Sequence, residues 1–266
     1  MVGSKNRFLF GAILIGTVLF FFYAPIMSLM IFSFNNSRSL TAWAGFSTQW
    51  YTALFNNREM MNAINTTVLV AVMSTFISTA VGTLTAIGIS KSRKIIREIV
   101  INVNSFPILN PEIVTAIGLM LLYSSLSIEK GLLTMLLAHI IFSTPYVILS
   151  VLPKLRSLDP DIAEAAMDLG ATPMQALRKV IVPLILPGVI SGALIAFTMS
   201  FDDFVISYFV SGNGVKNISI MVYTMSKRIN PSINALSTIL VVIITLVLLV
   251  INLLPLLKKK EVRGVE

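Results

Sequence analysis

The sequence predicts an all-α protein whose chain crosses a lipid bilayer about six times. Hydrophobic residues make up 56% of the 266 residues, charged residues only 12%, and the mean hydropathy is +0.87. A soluble domain carries about 25% charged residues. Because about 20 apolar residues in a helix cross the hydrocarbon core, we predict a single membrane domain with spans at residues 8–34, 62–90, 99–124, 131–152, 184–210 and 233–257.

The six apolar runs differ in their charged residues. The first, second, fourth and sixth contain no Asp, Glu, Lys or Arg. The third contains Glu112, and the fifth contains Asp202 and Asp203. The first run is too long for the core of a signal peptide, and no small-residue cleavage site follows it. We therefore expect it to be retained as a membrane helix.

The basic residues predict the orientation. The net charge is +8, and Lys and Arg lie in short clusters between the apolar runs, which indicates membrane topology rather than a nucleic-acid surface. With the N-terminus inside, fourteen Lys and Arg fall in inner segments and six in outer loops. This bias predicts that both termini are cytoplasmic. The chain has no cysteine, which excludes disulfides, thiol nucleophiles and Cys-based metal sites.

The inner segment 153–183, which we call the coupling segment, has the pattern of a short amphipathic helix. Asp159 and Pro160 suit its start, and Gly170 suits its end. Thr172 and Pro173 predict a second short helix. Helices that lie on anionic lipid carry Lys and Arg on their polar face, whereas this one is acidic and favours docking into a protein groove. Its apolar stripe is Ile162, Ala165, Ala166 and Leu169, and its acidic stripe is Asp161, Glu164 and Asp168.

The same segment resembles the EAA motif of ABC importer permeases. Glu164, Ala165 and Ala166 are followed by Gly170 and by Val-Ile-Val-Pro at residues 180–183, with the spacing of that motif. The resemblance implies the type I ABC importer permease fold and a cytoplasmic coupling helix that sits in a cleft of an ATPase subunit. It implies contact with the ATPase through Glu164, Ala165, Ala166, Asp168, Gly170 and Pro183.

The nucleotide site is expected on another polypeptide. The chain has no G-x-x-x-x-G-K-[ST] phosphate loop. We therefore expect ATP and Mg on the partner ATPase, with no cofactor, metal or catalytic residue in this chain.

Three acids inside the apolar runs suggest the substrate. A carboxylate at mid-bilayer costs at least about 2.5–3.5 kcal/mol on insertion scales, so Glu112, Asp202 and Asp203 are expected to face a polar cavity. On a helix the two aspartates point about 100° apart, so only one faces that cavity directly. Phe201 and Tyr208 lie beside them, and acids next to aromatic faces suit an organic polycation.

An alternative role for these acids is to pair with bases inside the membrane or to cap broken helices. The six runs contain no Lys or Arg, and His139 is their only titratable cation. A single neutral histidine on an apolar helix is expected to be a packing or hydrogen-bonding residue.

The chain also resembles the PotC-type permeases of spermidine/putrescine importers along nearly its full length. The resemblance rests on residues 43–46 with 50–51, on 110–114, on 197–203 and on 234–239. It implies a bacterial inner (plasma) membrane machine that imports polyamines, with a homologous second permease, two copies of an ABC ATPase and an extracytoplasmic polyamine-binding protein as partners, and no nucleic acid. We expect four aromatic residues to form an outer gate or to contact the binding protein: Trp43, Phe46, Trp50 and Tyr51. The alternative role for them is an interfacial aromatic belt.

Three other functions stay open from the residues alone. The first is an ABC importer permease for another solute, such as iron(III) or an anion, although acids in a span without Arg disfavour an anion. The second is an intramembrane aspartyl protease, which needs its two aspartates on different segments. The third is a membrane scaffold without transport, which leaves the intramembrane acids without a purpose. Motifs H-E-x-x-H and G-x-S-x-G are absent.

Overall fold

The computed structural model describes residues 2–39, 41–226 and 230–263, and their regular structure is helical apart from one isolated bridge between Asn35 and Phe46. The all-α prediction is confirmed. A π-helical turn lies at Leu177–Ile181. In chain order the helices are α1 (Val2–Phe32), α2 (Gln49–Asn56), α3 (Arg58–Ser90), α4 (Lys94–Leu109), α5 (Glu112–Ser125), α6 (Leu132–Arg156), α7 (Ile162–Asp168), α8 (Pro173–Ala176), α9 (Val182–Phe201), α10 (Val205–Val210), α11 (Ile218–Ser226) and α12 (Ser232–Arg263).

The chain divides into two compact units. One comprises residues 1–61 and 222–266, and the other comprises residues 62–221. In the first unit α12 contacts both α1 and α2. None of the α1 side chains from Phe10 to Phe32 is buried, so this helix offers an apolar surface on all sides. The single membrane domain stays a prediction.

In the second unit α6 is the central helix, in contact with α4, α9 and α10. α9 approaches it closely through Gly188 and Gly192, which lie one turn apart on the facing side. A Cβ at Gly192 would lie 3.1 Å from the Cα of Val147, and one at Gly188 would lie 3.1 Å from the carbonyl oxygen of Ser150. Small residues four apart allow such backbone approach between membrane helices, and a larger side chain would push α9 away from α6.

Four helical stretches of the described residues are long and apolar enough to cross a membrane: Phe10–Phe32, Arg58–Ser90, Leu132–Arg156 and Pro173–Phe201. They correspond to the first, second, fourth and fifth predicted spans. α12 is apolar over Ser232–Leu246. The remainder of the sixth predicted span lies largely outside the described side chains, so that span stays a prediction.

The third predicted span, 99–124, is not a single helix in the structure, and its crossing of the membrane stays a prediction. It consists of α4 and α5, which meet at an angle of 105° and make a fifth candidate span only as a bent pair. The fifth predicted span, 184–210, is also corrected at both ends. Its helical structure starts at Pro173, continues through the π-helical turn, and stops at Phe201, with α10 following as a separate short helix.

Candidate functional site

The acids of the third and fifth predicted spans meet at one cavity in the second unit. Its volume is about 250 Å³. Glu112 comes from the start of α5, and Asp202 and Asp203 come from the interruption between α9 and α10. The cavity therefore collects three carboxyl groups without a basic residue in its lining, which is Glu112, Met199, Asp202, Asp203, Phe204 and Val205. We call it the acid cavity.

The interruption between α4 and α5, the first break, is made locally by proline. Pro111 has no backbone N–H and restricts the residue before it to extended conformations. Asn110 is extended accordingly, with φ −81° and ψ 144°. Glu112 then occupies the first turn of α5, where a negative charge is favourable next to the free N–H groups. The Glu112 side chain is exposed.

The interruption at Asp202–Phe204, the second break, has no proline or glycine. Asp203 is 7% exposed, and its carboxylate accepts hydrogen bonds from the backbone N–H groups of Ile206 at 3.2 Å and Ser207 at 2.7 Å. It therefore satisfies the first free donors of α10. The Asp203 backbone carbonyl accepts a hydrogen bond from the Asn217 side chain at 2.7 Å.

The two neighbouring aspartates have different surroundings. Asp202 is exposed, and its backbone carbonyl accepts a 3.2 Å hydrogen bond from the Ser219 hydroxyl. Because α9 ends at Phe201, the expected 100° angle between the aspartates along one helix does not apply. Both aspartates line the acid cavity, Asp202 exposed and Asp203 buried, and that only one faces it directly stays a prediction.

A buried polar network surrounds Asp203, and its centre is His139 of α6. Nε2 of His139 lies 3.3 Å from the Asp203 carboxylate and 2.9 Å from the Ser207 hydroxyl. Nδ1 lies 2.6 Å from the Ser200 hydroxyl, which accepts a 2.9 Å hydrogen bond from Ser74 of α3. Ser207 also accepts from Asn217 at 2.9 Å. We call these six residues, Ser74, His139, Ser200, Asp203, Ser207 and Asn217, the His139 network.

Sequence reasoning expected His139 to be a packing or hydrogen-bonding residue, which its contacts confirm. It missed the pairing with Asp203. The available signal was that His139 is the only titratable cation in the six apolar runs while a nearby run carries two adjacent aspartates. The open alternative, in which an acid pairs with a base and caps a broken helix, describes the geometry of Asp203.

The two aromatic residues predicted beside the acids lie near the acid cavity but do not line it. Phe201 stacks on Phe197 with ring centroids 5.5 Å apart. Tyr208 is 49% exposed and packs between Phe204, at 5.4 Å, and Phe209, at 5.7 Å. Phe204 is the aromatic residue that lines the cavity.

The coupling segment forms two short helices in the predicted order. α7 begins at Ile162, two residues later than Asp159 and Pro160 suggest, because the Asp159 carboxylate accepts from the N–H of Asp161 at 3.0 Å and forms a turn instead. Gly170 ends α7 with φ +89° and donates to the Met167 carbonyl at 2.8 Å. Thr172 and Gln175 exchange hydrogen bonds at the start of α8.

The candidate coupling residues are accessible on this segment. α7 has no buried residue, and Leu169 is 90% exposed. Glu164, Ala165, Asp168, Gly170 and Pro183 are exposed and Ala166 is half-buried. The coupling segment therefore exposes a surface that is both acidic and apolar.

In the first unit, the segment after α1 is folded around the buried side chain of Asn35. This side chain donates to the carbonyls of Ser39 and Ala42 and accepts from the N–H of Ala44 at 2.8 Å. The indole N–H of Trp50 donates to the Asn35 carbonyl at 2.7 Å. The hydroxyl of Tyr51 lies 2.8 Å from that of Ser33.

The four aromatic residues predicted on the outer segment therefore fall into two groups. Trp50 and Tyr51 are half-buried and make the hydrogen bonds just described. Trp43 and Phe46 are 51% and 72% exposed, and Phe46 stacks on Phe34 at 5.3 Å. Only the second group offers a large apolar surface outward.

Comparison with known proteins identifies the family. Residues 78–257 match the model of the "binding-protein-dependent transport system inner membrane component", and this range includes the acid cavity and the coupling segment. The chain belongs to this family. It is therefore a non-catalytic, multi-pass permease of the inner membrane.

Relatives of this permease have named transport functions. It is 38% identical over 83% of its length to the putrescine transport system permease protein PotI of Escherichia coli, of which it covers 81%. It is also 38% identical to the spermidine/putrescine transport system permease proteins PotC of Escherichia coli, over 84% of this chain and 85% of that protein, and of Haemophilus influenzae, over 90% and 91%.

The fold of the permease is also found in solved structures. A bacterial ABC transporter involved in the import of the acidic polysaccharide alginate superposes with a TM-score of 0.73 at 16% identity, covering 95% of this chain and 96% of that one. A structure of a bacterial alginate ABC transporter in complex with a periplasmic protein superposes with a TM-score of 0.68, covering 91% and 93%. At this identity the likeness shows the ABC importer permease fold. The described residues contain no group of three or more His, Cys, Asp or Glu that could hold a metal ion.

Proposed function

We propose that the permease moves polyamines, of the spermidine and putrescine class, into the cell by alternating access. The observation that carries the proposal is the acid cavity, which brings Glu112 and Asp202 together beside Asp203 without a basic residue in the lining. Polyamines are flexible chains of ammonium groups, so they require negative charge at more than one point. The names of the relatives support the same substrate class.

In this proposal the exposed carboxylates of Glu112 and Asp202 neutralise ammonium groups of the substrate. Phe204 lines the cavity, with Phe201 and Tyr208 close by, and aromatic faces attract cations within about 6 Å of the ring centroid. An anion would meet uncompensated repulsion from Glu112 and Asp202 at this site. Asp203 contributes negative charge to the cavity wall, although its carboxylate oxygens are already hydrogen-bonded.

The permease works as one part of a larger complex. We propose a homologous second permease, two copies of an ABC ATPase that holds ATP and Mg, and an extracytoplasmic polyamine-binding protein. The coupling segment docks into the ATPase through Glu164, Ala165, Ala166, Asp168, Gly170 and Pro183. Both termini are cytoplasmic in this arrangement, as the excess of Lys and Arg in the inner segments favours.

The outer segment is proposed to contact the binding protein or to form the outer gate. Trp43 and Phe46 provide the contact surface, because they are exposed and carry large apolar areas. Trp50 and Tyr51 contribute by fixing the fold of the segment.

The first experiment measures ATP hydrolysis by the whole transporter in lipid nanodiscs. The binding protein is added empty, loaded with spermidine, or loaded with an unrelated solute. We expect stimulation only by the spermidine-loaded protein, because import requires a closed binding protein to signal to the ATPase. Stimulation by another solute would overturn the substrate assignment and leave the ABC permease assignment intact.

A second experiment tests the coupling segment. Glu164→Lys places a positive charge in the acidic stripe of α7, and we expect uptake to fall at least about tenfold because docking with the ATPase is disturbed. The matched control is Glu129→Lys, the same charge reversal at an exposed residue between α5 and α6. Uptake by Glu164→Lys at the rate of this control would remove the coupling role from the segment.

A further inference from the structure

We propose that His139 is a positioning residue of the acid cavity. Through Asp203 and Ser200 it holds the second break open, so that the carboxylate of Asp202 is exposed at the cavity while that of Asp203 stays hydrogen-bonded in the cavity wall. The role of Asp202 rests on the proposed function, whereas the position of its side chain is tested below independently of any substrate.

The first argument is that α9 ends without a proline or a glycine. Residues 199–206, Met-Ser-Phe-Asp-Asp-Phe-Val-Ile, contain neither proline nor glycine, so helix propensity alone would allow α9 to continue into α10. The helix stops nevertheless, and the N–H groups of Ile206 and Ser207 bond to the Asp203 side chain instead of to helical carbonyls. The second break therefore depends on what holds Asp203.

The second argument is that Asp203 is held from α6. Its carboxylate is 4% exposed and the His139 side chain 2%. In an environment without water a buried acceptor must be satisfied by protein donors. Two backbone N–H groups occupy part of the carboxylate, and Nε2 of His139, at 3.3 Å, is the side-chain nitrogen that approaches it from another helix.

The third argument concerns the direction of the donors. A neutral imidazole with its proton on Nε2 satisfies all its neighbours. Ser74 donates to Ser200, Ser200 donates to Nδ1, and Nε2–H is directed to Ser207 and Asp203. This continuous chain joins α3, α6, the end of α9 and the start of α10, and it fixes the backbone on both sides of Asp202.

The test uses the absence of cysteine in the chain. Asp202→Cys is introduced, the whole transporter is assembled with cysteine-free partner subunits in nanodiscs, and the rate of labelling by a water-soluble thiol reagent is measured. His139→Leu is expected to slow labelling about tenfold, because Asp203 loses a partner and the second break closes into helix. No polyamine is needed for this measurement.

Two conservative variants separate positioning from mere folding. His139→Gln places an amide N–H near the position of Nε2 and is expected to restore labelling to within about threefold of the parent. His139→Asn reaches only the position of Nδ1 and is expected to label as slowly as His139→Leu. The control is Ser143→Ala, one turn along α6, where the buried hydroxyl has no hydrogen-bond partner among the described residues; parent-like labelling is expected.

Labelling of His139→Leu at the parent rate would overturn the proposal, and so would equal rates for His139→Gln and His139→Asn. If His139→Leu does not assemble, the comparison of Gln with Asn decides alone. Uptake by Asp202→Asn in an unaltered background addresses the substrate separately, so failure of the proposed function and failure of the positioning role give different results.

Discussion

The two helix breaks that meet at the acid cavity are built in opposite ways. The first break follows from the chain itself, because Pro111 forces Asn110 out of the helix and bends α4 against α5 by 105°. The second break combines a local cap with a contact from another helix, because the Asp203 carboxylate accepts from the N–H groups of Ile206 and Ser207 and lies 3.3 Å from His139 of α6. A helix can thus be interrupted either by a proline or by side-chain hydrogen bonds that replace the helical ones.

The carboxylates differ in the same way. Glu112, at the first break, is exposed and stabilised only by its place in the first turn of α5. Asp203, at the second break, is buried and hydrogen-bonded, and its neighbour Asp202 is the residue that is exposed. Each break therefore carries one exposed acid, Glu112 at the first and Asp202 at the second. The third acid, Asp203, stabilises the second break itself.

The largest effect is expected from removing the buried acid. Asp203→Leu leaves the N–H groups of Ile206 and Ser207 and the imidazole of His139 without their partner, and such losses cost about 3–5 kcal/mol. The measurement is the amount of monodisperse complex after mild heating, by size-exclusion chromatography. Asp202→Leu is the matched control and should keep nearly all of the complex. Equal losses in both variants would erase the distinction between the two aspartates.

The next effect is on transport rather than stability. Asp202→Asn and Glu112→Gln each remove one exposed charge, and we expect each to lower spermidine uptake about tenfold, equivalent to about 1.4 kcal/mol, at unchanged complex yield. The double variant should be lower still. Uptake at the parent rate by both single variants and the double variant would make these acids structural.

A smaller effect is expected from easing the first break. Pro111→Ala removes the proline penalty of about 3 kcal/mol against a continuous helix. Spin labels at Val103→Cys and Leu121→Cys, both on exposed residues, should then move apart toward about 27 Å, the length of 18 residues of straight helix. Uptake should fall a few-fold, because straightening moves Glu112 away from Asp202. An unchanged distance would show that packing, not proline, makes this break too.

The smallest effect is expected at the far end of the His139 network. Ser74→Ala removes the donor to Ser200, which costs about 1 kcal/mol and should lower the melting temperature of the complex by a few degrees or less. Ser143→Ala, with no hydrogen-bond partner among the described residues, is the reference for loss of a buried hydroxyl. A larger loss in Ser143→Ala would place the stabilising contacts outside this network.

Helices and helix ends could be predicted from the sequence where neighbouring residues determine them. Apolar runs without charge predicted α1, α3 and α6, and Thr172 and Gly170 have the roles that their positions suggested. Pro111 carried the information for the first break but was overlooked, because the apolar run continues on both sides of it.

The second break could be predicted only in part, as the open alternative in which an acid caps a broken helix. It depends on His139, 64 positions before Asp203, and on the approach of α6 that Gly188 and Gly192 permit. Such long-range pairing is not visible in hydropathy or spacing. The fold likewise does not fix the substrate, since a similar fold is found in a transporter involved in the import of an acidic polysaccharide.

The helical stretch from Pro173 to Phe201 has a mechanical consequence. It runs for 29 residues, about 43 Å at 1.5 Å per residue, from the coupling segment directly to the second break. Under the proposed function it would serve as a lever arm, since a 10° tilt about the end at Pro173 would carry Asp202 sideways by about 7.5 Å. That distance exceeds the reach of a hydrogen bond, so a modest pull on the coupling segment by the proposed ATPase would suffice to separate the Asp202 carboxylate from a bound ammonium group.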